Sequence, residues 1–394
     1  MGSVSDPTPM GASPDPFADT PLFRELQRIL LAGSGPVNWE LARQVAIATA
    51  ATVGDDPEPS EEEHRGVEDA VRMAELAAAD LTGMPPQILR AEVVRRARWV
   101  EASIEGLRGL FEPVATKVAG LLQQARGETV EETPEGGGPM IEAVLGQLSP
   151  LLMGAQVGTV LGHLGQRTLS QYELPLPREG EPRLLVVGGN LAAFGDEWSL
   201  DPVDLRAWVA IHETTHALGL GRPWVGPHVR GLIRELAEGM EFDIAGLEAR
   251  LAGLDPSNPA ALSEAMGDPS ELFGGKMTDE RRLLVRRFQA FLAAAEGHAD
   301  HLVAAIGRER LASFSQIEEA MRRRHEGRSE QERMAERVLG LHADEEQYRL
   351  GRAFCDHVAG LTDEPTLARM WGSADSLPSM PELEEPTLWL ARMA

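Results

Sequence analysis

The sequence predicts a mainly α-helical protein of the α+β kind, a helical core with a small β-sheet or edge strand. Three observations predict it. Apolar residues recur with a period near 3.6 through most of the chain, the spacing of one helix face. Only one stretch, RLLVV at Arg183–Val187, reads as a strand. Aromatic residues make up 5% of the chain, so the core is built mainly from Leu, Ala, Val and Met.

Residues 1–19 are rich in Pro, Gly, Ser and Asp and read as a disordered tail. From Pro21 the runs PLFRELQRILL, NWELARQVAIATAA, GVEDAVRMAELAAADL and ILRAEVVRRARWVEASIEGLRGLF each fit a helix better than a strand. The acidic stretch GDDPEPSEEEH, from Gly54, is a linker whose last residues open the next helix. GETVEETPEGGGP, from Gly127, is a loop. Gly154, Gly158 and Gly162 follow at four-residue spacing and let one helix approach another closely.

Residues 20–178 thus form an N-terminal helical region and residues 179–394 a second region bearing the candidate chemistry, the two packed as one unit. The strand at Arg183–Val187 opens the second. Asp201 is placed to cap the helix that follows, with Pro202 at its first position and Asp204 near its positive end. Gly219 or Gly221 stops it. From Val225 to Ala394 the pattern is helical, broken at GLDPSNPA, FGGKMTDE and GLTDEP.

The formal net charge of −25 opposes binding to nucleic acid or to an anionic membrane surface. No segment has the pattern of a signal peptide or a membrane span. The single cysteine, Cys355, allows no disulfide within the chain and reads as a small buried hydrophobe. Together these place the protein in the cytoplasm.

The predicted helix from Pro202 carries His212, Glu213 and His216 in the run AWVAIHETTHALGLGR. Residues four apart share a helix face, so both imidazoles can converge on one metal ion. Glu213, rotated by roughly 100° from His212, lies beside that ion and can reach a water bound to it. The pattern is HExxH: two ligands and a general base. Leu205, Trp208 and Val209 share the face of the histidines, so burying that stripe buries imidazoles that need partners. From Val209 to Leu218 the helix is uncharged apart from Glu213. This window resembles the zincin metallopeptidases.

A catalytic zinc takes a third protein ligand. The form HExxHxxGxxH finds its glycine at Gly219 but meets Arg222, which has no lone pair to give. His228 lies nearby, with no helical phase tying it to the site. In the gluzincin form a glutamate on a later helix, in the pattern ExxxD, completes the site. Glu296 and Asp300 in FLAAAEGHADHLVAAIG match it, 80 residues beyond His216. Glu296 would be the ligand, and Asp300 would accept a hydrogen bond from the distal nitrogen of His212 or His216. The apolar flanks imply that this helix is buried. His298, roughly 200° around the helix from Glu296, and His301 stand as rival third ligands.

PVNWELARQVA from Pro36, WVAIHETTHAL from Trp208, EGHADHLVAAIG from Glu296, EEQYRLGRAF from Glu345 and PTLWLARM near the end together resemble the zincin-like type 2 family of zinc-dependent metallopeptidases. The resemblance covers nearly all of the chain after about residue 17. It implies a zincin-like helical core and a hydrolase holding one Zn²⁺, and it leaves the substrate open. On this reading the chain cuts a peptide or protein, with Glu213 as the base. The strand at Arg183–Val187 would be an edge along which an extended substrate docks. Tyr348, with Arg349 as a weaker alternative, is a candidate donor to the oxyanion. Two other functions use the same residues: a zinc-stabilised scaffold or binding protein without catalysis, and a hydrolase of non-peptide amides or esters.

Overall fold

Asn38 begins the first described helix, α1 (Trp39–Ala50), by accepting the Leu41 amide at 2.9 Å. Such a cap satisfies an end amide that the helix cannot satisfy itself. The computed structural model describes residues 35–129, 138–180, 183–239, 278–327 and 345–394. The expected tail over 1–19, the helix from Pro21, the break at GLDPSNPA and most of GETVEETPEGGGP lie outside these residues. The acidic linker ends as expected in a helix start. Ser60 and Glu63 form a reciprocal capping box at the head of α2 (Glu61–Thr82), and Gly83, at φ 69°, closes its far end.

The next segment corrects the sequence reading. The run from Ile88 is not one helix: it opens with strand β1 (Arg90–Val94), and only then does α3 (Arg96–Thr129) begin. β1 pairs in parallel with β2 (Arg183–Val187), from Arg90 opposite Arg183 to Val94 opposite Val187. The partner is far away in sequence, so local periodicity carries no sign of the pairing. The strand expected at Arg183–Val187 is present, yet it is not a free edge. β1 takes one side. On the other, Ser170 bridges Val186 in antiparallel fashion, and the Val187 amide donates to Leu169 O at 2.9 Å. Substrate docking along β2 at Val186–Val187 is therefore blocked.

The glycine row works as a packing device. It lies on α4 (Gly138–Arg167), which packs on α1. A Cβ at Gly154 would stand 2.4 Å from Asn38 O, and one at Gly158 2.5 Å from Ala42 O. At Gly162 it would meet Thr49 Cβ at 2.5 Å.

The remaining helices are α5 (Gly188–Trp198), α6 (Pro202–Leu220), α7 (Val225–Glu238), α8 (Asp279–Arg310), α9 (Phe314–Glu326), α10 (Glu345–Leu361), α11 (Glu364–Ala368), α12 (Met380–Glu384) and α13 (Pro386–Met393). Among the described residues the protein is mainly helical, with one two-stranded parallel sheet. β1 comes from the first predicted region and β2 from the second, so the sheet is built from both. No described helix is long and apolar enough to cross a membrane.

The centre of the core is α6, buried over most of the span from Leu205 to Leu220. It packs against α2 and α8, and α8 in turn packs against α10. The α8–α10 crossing is backbone on backbone. A Cβ at Gly297 would lie 2.1 Å from the carbonyl carbon of Gly351, and one at Gly351 would lie 1.8 Å from Ala293 O. By contrast, Gly231, inside α7, has open space where a Cβ would go. Urea unfolding should therefore separate two chemically identical changes. Gly231→Ala should stabilise by about 0.5–1 kcal/mol, through helix propensity alone. Gly297→Ala should destabilise by about 1–3 kcal/mol, because the crossing must open.

Candidate metal centre

Helix α6 begins as the sequence requires. Asp201 Oδ1 accepts the amides of Val203 and Asp204, both at 2.9 Å, and Pro202 opens the first turn. Asp204 then receives the amide and hydroxyl of Ser313, each at 2.7 Å, which ties the start of α9 to α6. The helix runs through Gly219 and is capped at Gly221. Gly219 is thus not the stop. Its missing side chain admits the ring of Trp371, which would lie 2.5 Å from a Cβ there.

Nearly three turns into α6, His212 and His216 point the same way, with ring centroids 4.6 Å apart. Helix α8 brings Glu296 up to them, Glu296 Oε2 lying 3.4 Å from His216 Nε2. One ligand atom from each of His212, His216 and Glu296 falls within 4.8 Å of the others. Ordinary side-chain rotation closes that span onto one ion with bonds of about 2.0–2.2 Å.

The surroundings hold these rings in place. Trp208 stacks on His212 at 5.3 Å with an interplanar angle of 10°, and Tyr172 stacks on His216 at 5.7 Å. His216 is 2% exposed, yet among the described residues neither of its ring nitrogens has a hydrogen-bond partner; the 3.4 Å approach of Glu296 lacks hydrogen-bond alignment. A buried imidazole with both nitrogens unmatched is costly, and a cation bound between it and Glu296 removes that cost. The set of two imidazoles and one carboxylate suits zinc.

Glu213 stands at the edge of this cluster, 1% exposed. Its Oε2 accepts the Tyr172 amide at 2.8 Å, and its Oε1 lies 3.3 Å from His212 Nδ1. Burial disfavours the charged form of His212, but the hydrogen bond and charge of Glu213 outweigh it and raise the imidazole to about 9. Burial likewise opposes ionisation of Glu296, and the charges of His216 and His212 overturn it, holding the carboxyl down at about 2. The cluster therefore already behaves as a pocket for positive charge.

A model of the zincin-like metallopeptidase family matches residues 37–390. The chain belongs to the zincin-like metallopeptidase family. A solved structure from Chloroflexus aurantiacus, described as that of a candidate hydrolase with a novel fold, is similar to it with a TM-score of 0.60 and 28% identity. The similarity covers 91% of this chain and 98% of that one. Curated proteins contain no match.

The other residues singled out in this zincin-like chain divide by their position on α8. Asp300, one turn after Glu296, is close enough to feel Glu296 and His212, and burial together with the Glu296 charge lifts its carboxyl to about 6. Among the described residues it makes no hydrogen bond to His212 or His216, contrary to expectation. The Nδ1 of His212 faces Glu213 instead. His298 turns to the opposite side, where its Nδ1 accepts the indole N–H of Trp371 at 3.3 Å. Burial pushes it down to about 3, so it stays neutral.

His301 is clasped between two carboxylates, Asp356 of α10 at 2.6 Å and Glu364 of α11 at 2.9 Å. Neither His298 nor His301 joins the three-residue cluster. His228 packs its ring against Trp224 at 5.8 Å. Cys355 is fully buried, and burial pushes its thiol well above the usual range, in keeping with a small hydrophobe. Tyr348 lies half-buried in the first turn of α10. The tyrosine that stacks on His216 is Tyr172.

Sequence reasoning passed over Tyr172, Gln171 and Arg178. They sit in QYELPLPR, a stretch read only as a turn-rich lead into the strand. The one available signal was that Tyr172 is one of two tyrosines in the chain.

The His301 clasp makes a pH prediction. Burial lowers this imidazole, but its bonds to Glu364 and Asp356 prevail and raise it above 6.5. A raised histidine contributes its stability in full below the unfolded value and loses it as pH rises through the folded one. Asp356 is lowered and acts in the opposite sense, losing its share only in acid. His301→Ala should therefore cost about 1–3 kcal/mol at pH 6, the range of hydrogen bonds to charged groups. The cost should be clearly smaller at pH 9, as measured by urea unfolding at the two values.

Proposed function

We propose that this protein is a zinc-dependent hydrolase that cuts peptide bonds, with Glu213 as the general base. One observation carries the reading: His212, His216 and Glu296 gather their ligand atoms within 4.8 Å, beside a buried carboxylate that is not one of the three. A purely structural zinc has no need of that fourth group. The Chloroflexus aurantiacus structure, described as that of a candidate hydrolase, supports the same class of activity.

Zinc bound there would act as a Lewis acid and bring the pKa of a water it holds towards about 7. The remaining work falls to the chain itself. The Tyr172 amide pins Glu213 Oε2, so Oε1, which shares its other side with His212 Nδ1 at 3.3 Å, is the oxygen that would take a proton from water. The same carboxyl then passes that proton to the leaving amine. Trp208 and Tyr172 fix the planes of the two imidazoles. The half-buried side chains of His212 and Glu296, 16% and 18% exposed, mark the side from which substrate enters.

The near-complete burial of Glu213 favours one second reading, a zinc-stabilised scaffold that hydrolyses nothing. A peptide-library digest with and without chelator separates the two. Cleavage abolished by chelator and restored by zinc excludes the scaffold.

Two substitutions test the roles. Glu213→Gln should keep zinc at the wild-type ratio, read by atomic absorption, and lose about 10²–10⁴-fold in kcat. Hydrolysis at the wild-type rate would remove Glu213 from the mechanism. Glu296→Ala should strip zinc from the protein, whereas His298→Ala should retain it. The reverse pattern would make His298 the third ligand.

A further inference from the structure

The segment from Gln171 to Arg178 passes over the base. Tyr172 holds Glu213 through its amide and stacks on His216, and Arg178 reaches back to the carbonyl of that same peptide unit. The guanidinium donates from Nη2 to Gln171 O at 2.6 Å. Among the described residues its Nε and Nη1 are buried without an acceptor, and Gln171 Oε1 is buried without a donor. Glu179, the next residue along, does not help: it pairs with Arg230 at 2.7 Å. Burial lowers the Arg178 guanidinium to about 10, which still leaves it charged at neutral pH. This is a half-buried cation with Nε and Nη1 shut away from solvent, and among the described residues its hydrogen-bonded partner is one neutral carbonyl. Such a charge is costly unless an anion meets it.

Its place says which anion. The peptide unit whose carbonyl takes the guanidinium is the one whose amide donates to Glu213, and Glu213 is the ionised group whose charge acts on Arg178. Arg178 therefore flanks the base. In peptide hydrolysis the base hands its proton to the leaving amine, so the released residue lies on the base side. If that residue is the last of its chain, its carboxylate stands about 3 Å from the amine, across one Cα. A guanidinium fork suits a carboxylate better than any other side chain does.

We propose that Arg178 is a substrate-binding residue that receives the free α-carboxylate of the released residue, so that this protein trims peptides at their carboxyl end. The inference rests on the hydrolase reading above. The reaction balances as ordinary hydrolysis: water's oxygen bonds to the carbonyl carbon as the C–N bond breaks. One water proton reaches the amine through Glu213, and the other ends on the new carboxyl group.

The test uses the full-length, zinc-loaded protein and a set of N-acetyl dipeptides, each as the free acid and as its C-terminal carboxamide. The wild type should hydrolyse the acids with kcat/KM at least about 100-fold above the amides, since an amide leaves the half-buried cation unmatched. Arg178→Gln should reduce that preference to within about 3-fold, chiefly by losing activity on the acids. Arg178→Lys should keep part of it. Equal cleavage of acids and amides by the wild type, or an acid preference that survives in Arg178→Gln, overturns the proposal. A merely structural Arg178 would weaken both substrate forms alike. Should Arg178→Gln fail to fold, the wild-type acid–amide ratio and Arg178→Lys decide alone.

Binding distinguishes failure here from failure of the hydrolase reading. Calorimetry on Glu213→Gln protein uses the same acid and amide pairs. If no peptide is cut, acid-selective binding that falls at least about 10-fold in Arg178→Gln sustains the carboxylate site while the hydrolase reading falls. Indifference to acid or amide removes the site as well.

Discussion

Most of this structure depends on one buried imidazole. His216 lies on the most deeply packed face of α6 with both ring nitrogens unmatched. The protein interior otherwise penalises such atoms, and evolution usually replaces them with apolar groups of similar shape. Here the surroundings are shaped to keep it. Tyr172 covers one side, and Glu296 approaches from α8. The sheet reinforces this, because the Leu169–Ser170 segment bridged to β2 leads straight into Gln171 and Tyr172. A two-stranded sheet in a helical protein thus has a definite use: it anchors the stretch of chain that holds Glu213.

The distance between the helices carrying the site is set by missing side chains. Gly297 adjoins Glu296 and lets α10 lie directly on α8. Gly219, one turn past His216, lets Trp371 enter against α6, and that tryptophan donates to His298. Each contact replaces a methyl group's worth of separation with van der Waals contact between backbones or rings. The Glu296 carboxylate and the two imidazoles therefore sit on elements whose spacing is rigidly defined, as a metal centre would require.

Helix α8 shows how phase alone divides similar residues among different tasks. Glu296, His298, Asp300 and His301 stand within two turns of one another. Glu296 faces the histidines of α6, His298 faces Trp371, and His301 is gripped by Asp356 and Glu364. Their electrostatics follow the same division. The residue near the imidazoles is held ionised, the one against tryptophan neutral, and the one between carboxylates is shifted towards its charged form. Arg352 extends the last group by bonding both Asp356 and the Asp300 carbonyl.

Several features were legible in the sequence because they are local. The spacing of His212, Glu213 and His216 on one helix needs only the period of 3.6. The Asp201–Pro202 start needs only end-capping chemistry, and RLLVV needs only a short apolar run between turns. The gathering of Glu296 with the two histidines was legible as a motif, since an ExxxD with apolar flanks marks a buried carboxylate. What tertiary structure alone decided is non-local. It paired β1 with β2, closed the edge of β2, and made Gly219 a seat for Trp371 rather than a helix stop. It also brought Tyr172 and Arg178 to Glu213 and left Asp300 without its expected histidine. The physical reason is the same in each case. Helical phase and capping are fixed by neighbours within a turn, whereas strand partners, ring packing and the matching of a buried charge depend on groups that only the folded chain brings together.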